Sequence, residues 1–290
     1  MTQSQPCILQ PSAAAGRGLT YRCIHPEAVA NTLRALRDAW STKAGAIGIG
    51  EPCVRALGKT LPGLRTFPAL SGPGCSTPST QEALWIMLSH GDRGELFDRT
   101  RELDTLLAPA FLRVDTIDTF VYRGGRDLTG YEDGTENPKG DAAVQAALCT
   151  GALAGGSFVA VQRWVHDLHG FDAFAPEARD GVIGRSAKTN EELADAPISA
   201  HVKRSAQESY DPPAFMVRRS MPWTAADTHG LEFIAYGADL DRFERVLRRM
   251  LGLEDGTVDG LFSFSRPVTG GYYFCPPVRG DKLELSCLGL

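Results

Sequence analysis

Apolar positions along the first half of the chain change period several times, and each change marks an element. In "GRGLTYRCI" they suit a strand. In "HPEAVANTLRALRDAWS" Val29, Leu33, Leu36 and Trp40 recur at three- and four-residue steps, which places them on one face of a helix. "AGAIGIGEPCVRAL" reads as a Gly-rich strand pair or as a strand and turn, and "GKTLPGLRTFPALSGPGCSTPSTQ" as a loop dense in Pro and Gly. "QEALWIMLSHGDRGELFDRTRELDTLLAPAF" holds a strand and then a helix of about 15 residues. "RVDTIDTFVYRGG" alternates as a strand that runs into "GYEDGTENP".

The second half repeats that order. "SFVAVQRWVHDL" is strand-like, "PEARDGVIGR" opens with a helix-start proline, and "SAHVKRSAQ" reads as a short strand after a turn. "AFMVRRSMPW" and "LEFIAYGA" are further strands. "DLDRFERVLRRMLGL" is an amphipathic helix with Asp239 as N-cap and Phe243, Val246, Leu247 and Met250 inward. "GYYFCPP" is a last strand, and the closing "GDKLELSCLGL" alternates as a further strand or a docking tail. Strand, helix, strand, strand, helix, strand in each half predicts two similar α+β modules, residues 1–150 and 151–290, whose antiparallel sheets face one another around a pocket.

Composition narrows the partners. The chain has 290 residues, 43% of them apolar and 22% charged, and no stretch approaches the roughly 18 apolar residues of a membrane span. A net charge of −5 does not supply the clustered Lys and Arg of a nucleic-acid surface. Seven cysteines, none two residues apart from another, read as reduced thiols, and the N-terminal stretch shows neither an apolar export core nor a twin-arginine pair. A cytoplasmic protein acting on small molecules or proteins is the expectation.

Candidate chemistry sits in three places. "GYEDGTENP" packs Glu132, Asp133 and Glu136 between Gly130, Gly134 and Pro138. It reads as a solvated turn or as a rigid turn presenting Asp133 at a cavity mouth for proton transfer, and it lacks the ligand order of a calcium loop. Among six histidines, His166 and His169 are three apart but lack a third ligand at metal-site spacing, and His201 follows a Pro-containing turn. Arg218 and Arg219 lie side by side in an apolar strand, so alternation sends one inward, to a structural ion pair or to a polar pocket.

Taken together, "GYEDGTENP", "QRWVHDL", "VIGR", "SAHV", "VRRSMPW" and "FSFSRPVTGGYYF" occur in the order and approximate spacing of the dye-decolourising peroxidases, which the sequence resembles over nearly its whole length. The family's G-x-x-D-G signature falls on Gly130, Asp133 and Gly134, and the short N-terminus and modest loops resemble the compact B-type subgroup. The resemblance implies an α+β fold of two ferredoxin-like modules with helices outside, related to the dimeric α+β barrels. It also implies one haem b per chain. His201 matches the proximal iron ligand, Asp133 the distal aspartate, Arg218 the distal arginine, and Arg185 an arginine near a haem propionate. Asp259 is the expected carboxylate partner of His201, although Ser263 stands near a position where some relatives show an acid. Ser220 occupies a place where many relatives have Asn, and its single hydroxyl offers less hydrogen bonding than an amide.

The implied activity is reduction of hydrogen peroxide, with dyes, phenols or other small aromatic donors oxidised through an oxoferryl intermediate. Arg218 is expected to hold Asp133 ionised. No Tyr or Trp is singled out as a radical relay. A homo-oligomer, dimeric or larger, is expected from the resemblance, and the C-terminal tail leaves an encapsulating shell open as a partner. The rival readings are a protein of haem storage, transfer or breakdown, and a haem-free metal site on His166 and His169.

Overall fold

Gly45–Gly50 and Gly271–Cys275 are strands in which every residue is buried, so neither has a solvent face. The computed structural model, which describes residues 3–290, shows why. Eight strands, β1 (Ala15–Cys23), β2 (Gly45–Gly50), β3 (Leu84–His90), β4 (Phe111–Phe120), β5 (Ser157–His166), β6 (Met221–Ala225), β7 (Thr228–Gly237) and β8 (Gly271–Cys275), pair in the order β5-β8-β2-β3-β1-β4-β6-β7. β7 then pairs back with β5, so an antiparallel barrel closes and these strands have no free edge along the ring. Followed round the ring in one direction, the first four strands run β2-β3-β1-β4 and the second four β6-β7-β5-β8, the same order in each half. The expected facing sheets are therefore also joined edge to edge. One seam pairs Tyr273 with Gly50 and Phe274 with Ile49, and the other pairs Thr119 with Trp223.

Alternation sorts the side chains of this barrel into two layers. Inside lie Trp85, Met87, Val159, Val161, Ile234 and Tyr273. A Cβ on Gly48 would fall 2.6 Å from the Tyr273 Cβ, so glycine is what lets that ring cross the interior. Outside, Leu33 and Leu36 of helix α1 (Val29–Ala39), Leu96 and Leu103 of α2 (Arg93–Leu107), and Phe243 and Leu247 of a fifth helix described below cover the strands. The long connection from β5 to β6 holds a short helix, Leu168–Asp172, then α3 (Pro176–Ile183), with proline in its first turn, and the one-turn α4 (His201–Arg204). The fifth, α5 (Asp241–Met250), buries Phe243, Val246, Leu247 and Met250 as its periodicity predicts. Asp239 accepts the Arg242 amide at 3.0 Å and so caps it.

Four local expectations change. "EPCVRA" after β2 is a short helix, Glu51–Ala56, entered through Pro52. "SAHV" is helical rather than extended, because the Ala200 carbonyl collects the amides of Lys203 and Arg204. "FMVRRSMPW" is broken into Val217–Arg218 and β6, since the Ser220 hydroxyl takes the Ile234 amide in place of a backbone carbonyl. The C-terminal segment forms a two-residue hairpin, Val278–Arg279 with Lys282–Leu283, and buries Leu283, Leu285 and Leu288 in the main core.

One polar group crosses the barrel interior. Arg163 of β5 meets Asp115 of β4 at 2.6 Å and Glu232 of β7 at 3.3 Å, and so ties the two halves together beside the Thr119–Trp223 seam. Burial drives the Glu232 carboxyl up from 4.5 to about 7, with Arg163 opposing and the like charge of Asp115 adding to the rise. A carboxyl raised on folding stabilises fully below its unfolded value and loses that contribution as pH climbs through the folded one. Unfolding free energy should therefore decline between pH 4.5 and about 7 on this account, by no more than about 1.4 kcal/mol per pH unit for one proton. Chemical denaturation of Glu232→Gln should show a flatter profile than wild type over that window, and parallel profiles would show that Glu232 is ionised throughout.

Candidate active site

The loop between β4 and the helix Gly140–Ala147 carries the acidic motif, and nearly every residue of that motif is tied down. Tyr131 donates its hydroxyl to Asp180 of α3. Glu132 takes Arg126 at 2.8 Å and the Asn190 side-chain amide at 2.8 Å. Glu136 takes Arg185 at 2.6 Å, and the Asn137 amide donates to the Arg218 carbonyl at 3.0 Å while accepting the Arg218 N–H at 2.8 Å. Among the described residues, Asp133 is the acid of the motif with no side-chain partner within ion-pair distance. It faces a cavity instead.

Three neighbouring pockets share lining residues there. An inner apolar chamber of about 90 Å³ lies between α5 and the strands β5 and β7, walled by Trp164, Leu231, Phe233, Phe243 and Leu247. A cleft of about 340 Å³ opens past Arg185, Glu136 and Lys203. A vestibule of about 340 Å³ opens past Ser12, Tyr122, Arg126 and Arg219. Asp133 and Arg218 line all three, and His201 lines the first two.

His201 opens α4, and its Nδ1 lies 2.8 Å from the Asp259 carboxylate. Asp259 is 1% exposed, and its second oxygen accepts the Leu261 amide at 2.8 Å, which fixes the carboxylate toward the ring. Ser263, the other position considered, bonds the Gly260 carbonyl. His201 Nε2 has no partner among the described residues, so a nitrogen whose companion is held by a carboxylate is left free in the cavity.

Arg218 likewise makes no side-chain hydrogen bond or ion pair among the described residues, and its buried Nε is an unpaired donor. Burial raises the Asp133 carboxyl most, Arg218 lowers it, and the like charge of Asp127 raises it again. The net direction is upward, and Arg218 opposes that rise, in the sense expected from sequence. Alternation was also expected to separate the two arginines. Because the strand breaks after Arg218, both line the vestibule, Arg219 with its Nη atoms on the carbonyls of Leu9 and Arg218.

Arg185 reaches the cleft already engaged by Glu136 at 2.6 Å and Glu192 at 3.5 Å. Ser220 lines the vestibule rather than the inner chamber. His166 and His169 do not share a helical face, since His166 ends β5 and His169 lies in the helix Leu168–Asp172. Among the described residues no three His, Cys, Asp or Glu side chains group as a metal site. His166 is nevertheless a cavity residue, in a place that its sequence reading as a metal-ligand candidate beside His169 did not anticipate. It lies 2.7 Å from the Ser265 hydroxyl and 3.2 Å from Asp127, which belongs to the same loop as Asp133. Asn137 is the second such residue, visible in sequence only as part of the acidic motif.

With this geometry in hand, comparison places the chain among known proteins. The family model "Dyp-type peroxidase, C-terminal" matches residues 124–280. The dye-decolorizing peroxidase of Mycobacterium tuberculosis (strain ATCC 25618 / H37Rv) is 31% identical over 224 residues, which is 74% of this chain and 67% of that protein. The one from Mycolicibacterium paratuberculosis (strain ATCC BAA-968 / K-10) is 32% identical, and the match spans 63% of its length, less than two thirds. Among solved structures, the dye-decolorizing protein from V. cholerae aligns with a TM-score of 0.84 at 30% identity, over 93% of this chain and 96% of its own. A variant of Rhodococcus jostii RHA1 DypB in complex with heme aligns with a TM-score of 0.85 at 27% identity, over 94% and 96%. More than half the chain lies within the family model and the barrel is shared almost end to end, so this chain belongs to the dye-decolourising peroxidase family.

Proposed function

We propose that this chain is a haem peroxidase that reduces hydrogen peroxide and draws electrons from small aromatic donors such as phenols and dyes. The observation that carries the reading is that His201, with Nε2 free and Nδ1 on a buried carboxylate, shares one cavity with Asp133 and the unpaired guanidinium of Arg218. The cavity residues fit a planar, mostly apolar group. The inner walls are apolar, an imidazole nitrogen is free to hold iron, and a buried arginine Nε lacks a partner among the described residues. The heme bound to the Rhodococcus jostii DypB variant supports the same cofactor here.

When bound, haem supplies the one-electron and peroxide chemistry that no side chain offers. Asp259 holds the His201 ring with Nε2 toward the cavity and makes that nitrogen more basic. Asp133, ionised, would take the proton from one peroxide oxygen and return it to the other. Arg218 places positive charge where the departing oxygen gathers negative charge. Ser220 offers a hydroxyl in the vestibule, where it can orient a water or peroxide on its way to Asp133. Arg185 would meet a propionate with Glu136 and Glu192 already beside it, so its pairing there involves exchange of partners. Residues 1–150 and 151–290 read as two ferredoxin-like modules, a view supported by the matching strand order of the two halves.

Haem-loaded Asp133→Asn and Arg218→Leu should each lose about 100-fold or more in kcat/KM for peroxide, with the donor KM little changed. His201→Ala should lose the Soret band, while His166→Ala keeps it. Haem-loaded variants at 133 and 218 with wild-type turnover would overturn these roles and favour a haem-handling protein.

Electrostatics gives a second expectation. Asp133 serves as base only above its raised pKa, so the rate should climb with pH through that value. Asp127→Asn removes a like charge and should move this rising limb to lower pH. Arg218→Leu removes the opposing cation and should move what activity is left to higher pH. Limbs that stay fixed in stopped-flow pH profiles would show that another group controls the rise.

A further inference from the structure

Arg218 has no side-chain anchor, so its position rests on its backbone, and that backbone is held in an unusual way. Val217–Arg218 is the last strand in the sheet order, with β7 on one side and no strand on the other. On the open side the Asn137 carboxamide accepts the Arg218 N–H at 2.8 Å and donates to the Arg218 carbonyl at 3.0 Å. A carboxamide has the donor and acceptor of a peptide unit, so one side chain pairs with this residue as a neighbouring strand would. The acidic turn is shaped around that amide. Gly134 has φ +73°, the Asn137 N–H bonds the Gly134 carbonyl at 3.0 Å, and a Cβ at Gly134 would come 2.8 Å from Asn137 Nδ2. Pro138 restricts Asn137 itself to extended backbone.

We infer that Asn137 is a positioning residue that fixes the distance between Asp133 and Arg218, by bolting the loop that carries one to the edge strand that carries the other. It lines the vestibule, and its carboxamide is engaged by the Arg218 backbone, through which it acts. The inference rests on the peroxidase reading for its consequence in turnover, but not for the pin itself.

Three variants and two readouts test it. In haem-free protein, hydrogen exchange at the Arg218 amide should run about ten-fold or more faster in Asn137→Ala than in wild type. In ferric, haem-loaded protein, fluoride depends on hydrogen bonds from the distal side, so its Kd should rise about ten-fold in Asn137→Ala, with Tm close to wild type. Asn137→Asp keeps the size and the acceptor and loses the donor at neutral pH. Once protonated it again offers one donor and one acceptor, so its fluoride affinity relative to wild type at the same pH should recover on acidification. Asn137→Leu fills the space with neither group and should not recover at any pH. Should Asn137→Ala not fold, the recovery of Asn137→Asp against the failure of Asn137→Leu decides the question.

Arg218 exchange and fluoride affinity that stay at wild-type values in Asn137→Ala, or an Asn137→Asp ratio that is flat with pH, would overturn the inference. If wild-type protein takes up haem but turns over no peroxide, the functional reading falls, while the exchange rates still decide the role of Asn137.

Discussion

A carboxylate enclosed by protein is drawn toward water, and it stays only where the backbone that carries it cannot retreat. Asp133 is in that position, since burial and the neighbouring Asp127 both act against its charge. The loop answers with a set of anchors that flank Asp133 on each side. Tyr131 reaches α3, Glu132 reaches Arg126 and Asn190, Glu136 reaches Arg185, and Asn137 reaches the Arg218 backbone. The acidity of the motif is thus divided. Glu132 and Glu136 form ion pairs that hold the turn at the edge of the cleft, and Asp133 fronts the cavity without one among the described residues.

The two halves of the barrel contribute unequally to this site: residues 1–150 supply the acidic loop, and the strands and helix that wall the inner chamber come from residues 151–290. Both halves use the same strand order, yet their first connections differ greatly. Between β1 and β2 the chain needs little beyond α1, whereas between β5 and β6 it runs through α3, α4 and the anchors of the acidic loop. That longer excursion brings His201 and Arg218 to the outer face of β5 and β7, where α5 leaves the inner chamber. In the first half the groove between α1 and α2 is lined by Leu36, Trp40, Leu103 and exposed acids, and no histidine reaches it. A symmetric architecture becomes asymmetric through the length of one loop.

Periodicity made the regular elements legible. Helices α1, α2 and α5 and the barrel strands could be read from spacing alone, because each buries one face or both against a large apolar layer. The misreadings fall where a side chain replaces a backbone partner. Ser220 takes the Ile234 amide and ends a strand that composition continues, and Ala200 starts a helical turn that "SAHV" does not advertise. Among site residues, Asp133, His201 and Arg218 were singled out by a motif, and Asp259 by its expected pairing. His166 was read only as a metal ligand beside His169, and Asn137 only as part of the motif, because their significance lies in contacts 39 and 81 residues away along the chain, to Asp127 and Arg218. No local pattern encodes such a contact.

The electrostatics of the Asp133 and Arg218 pair then acquires a direction. An arginine locked onto the aspartate by a close ion pair would leave a weak base and a guanidinium with its charge already countered. Here the two share a cavity without such a bond, the guanidinium keeps an unpaired Nε, and burial lifts the carboxyl rather than letting the cation pull it down. A group that must both accept a proton and give it back works best when neither form is strongly preferred. Under the proposed reading, an Asp133 pKa raised toward the working pH is therefore an advantage, and the Arg218 charge stays available for the oxygen that departs. Separating the two groups, by pinning each to its own backbone element, is what makes both properties possible at once.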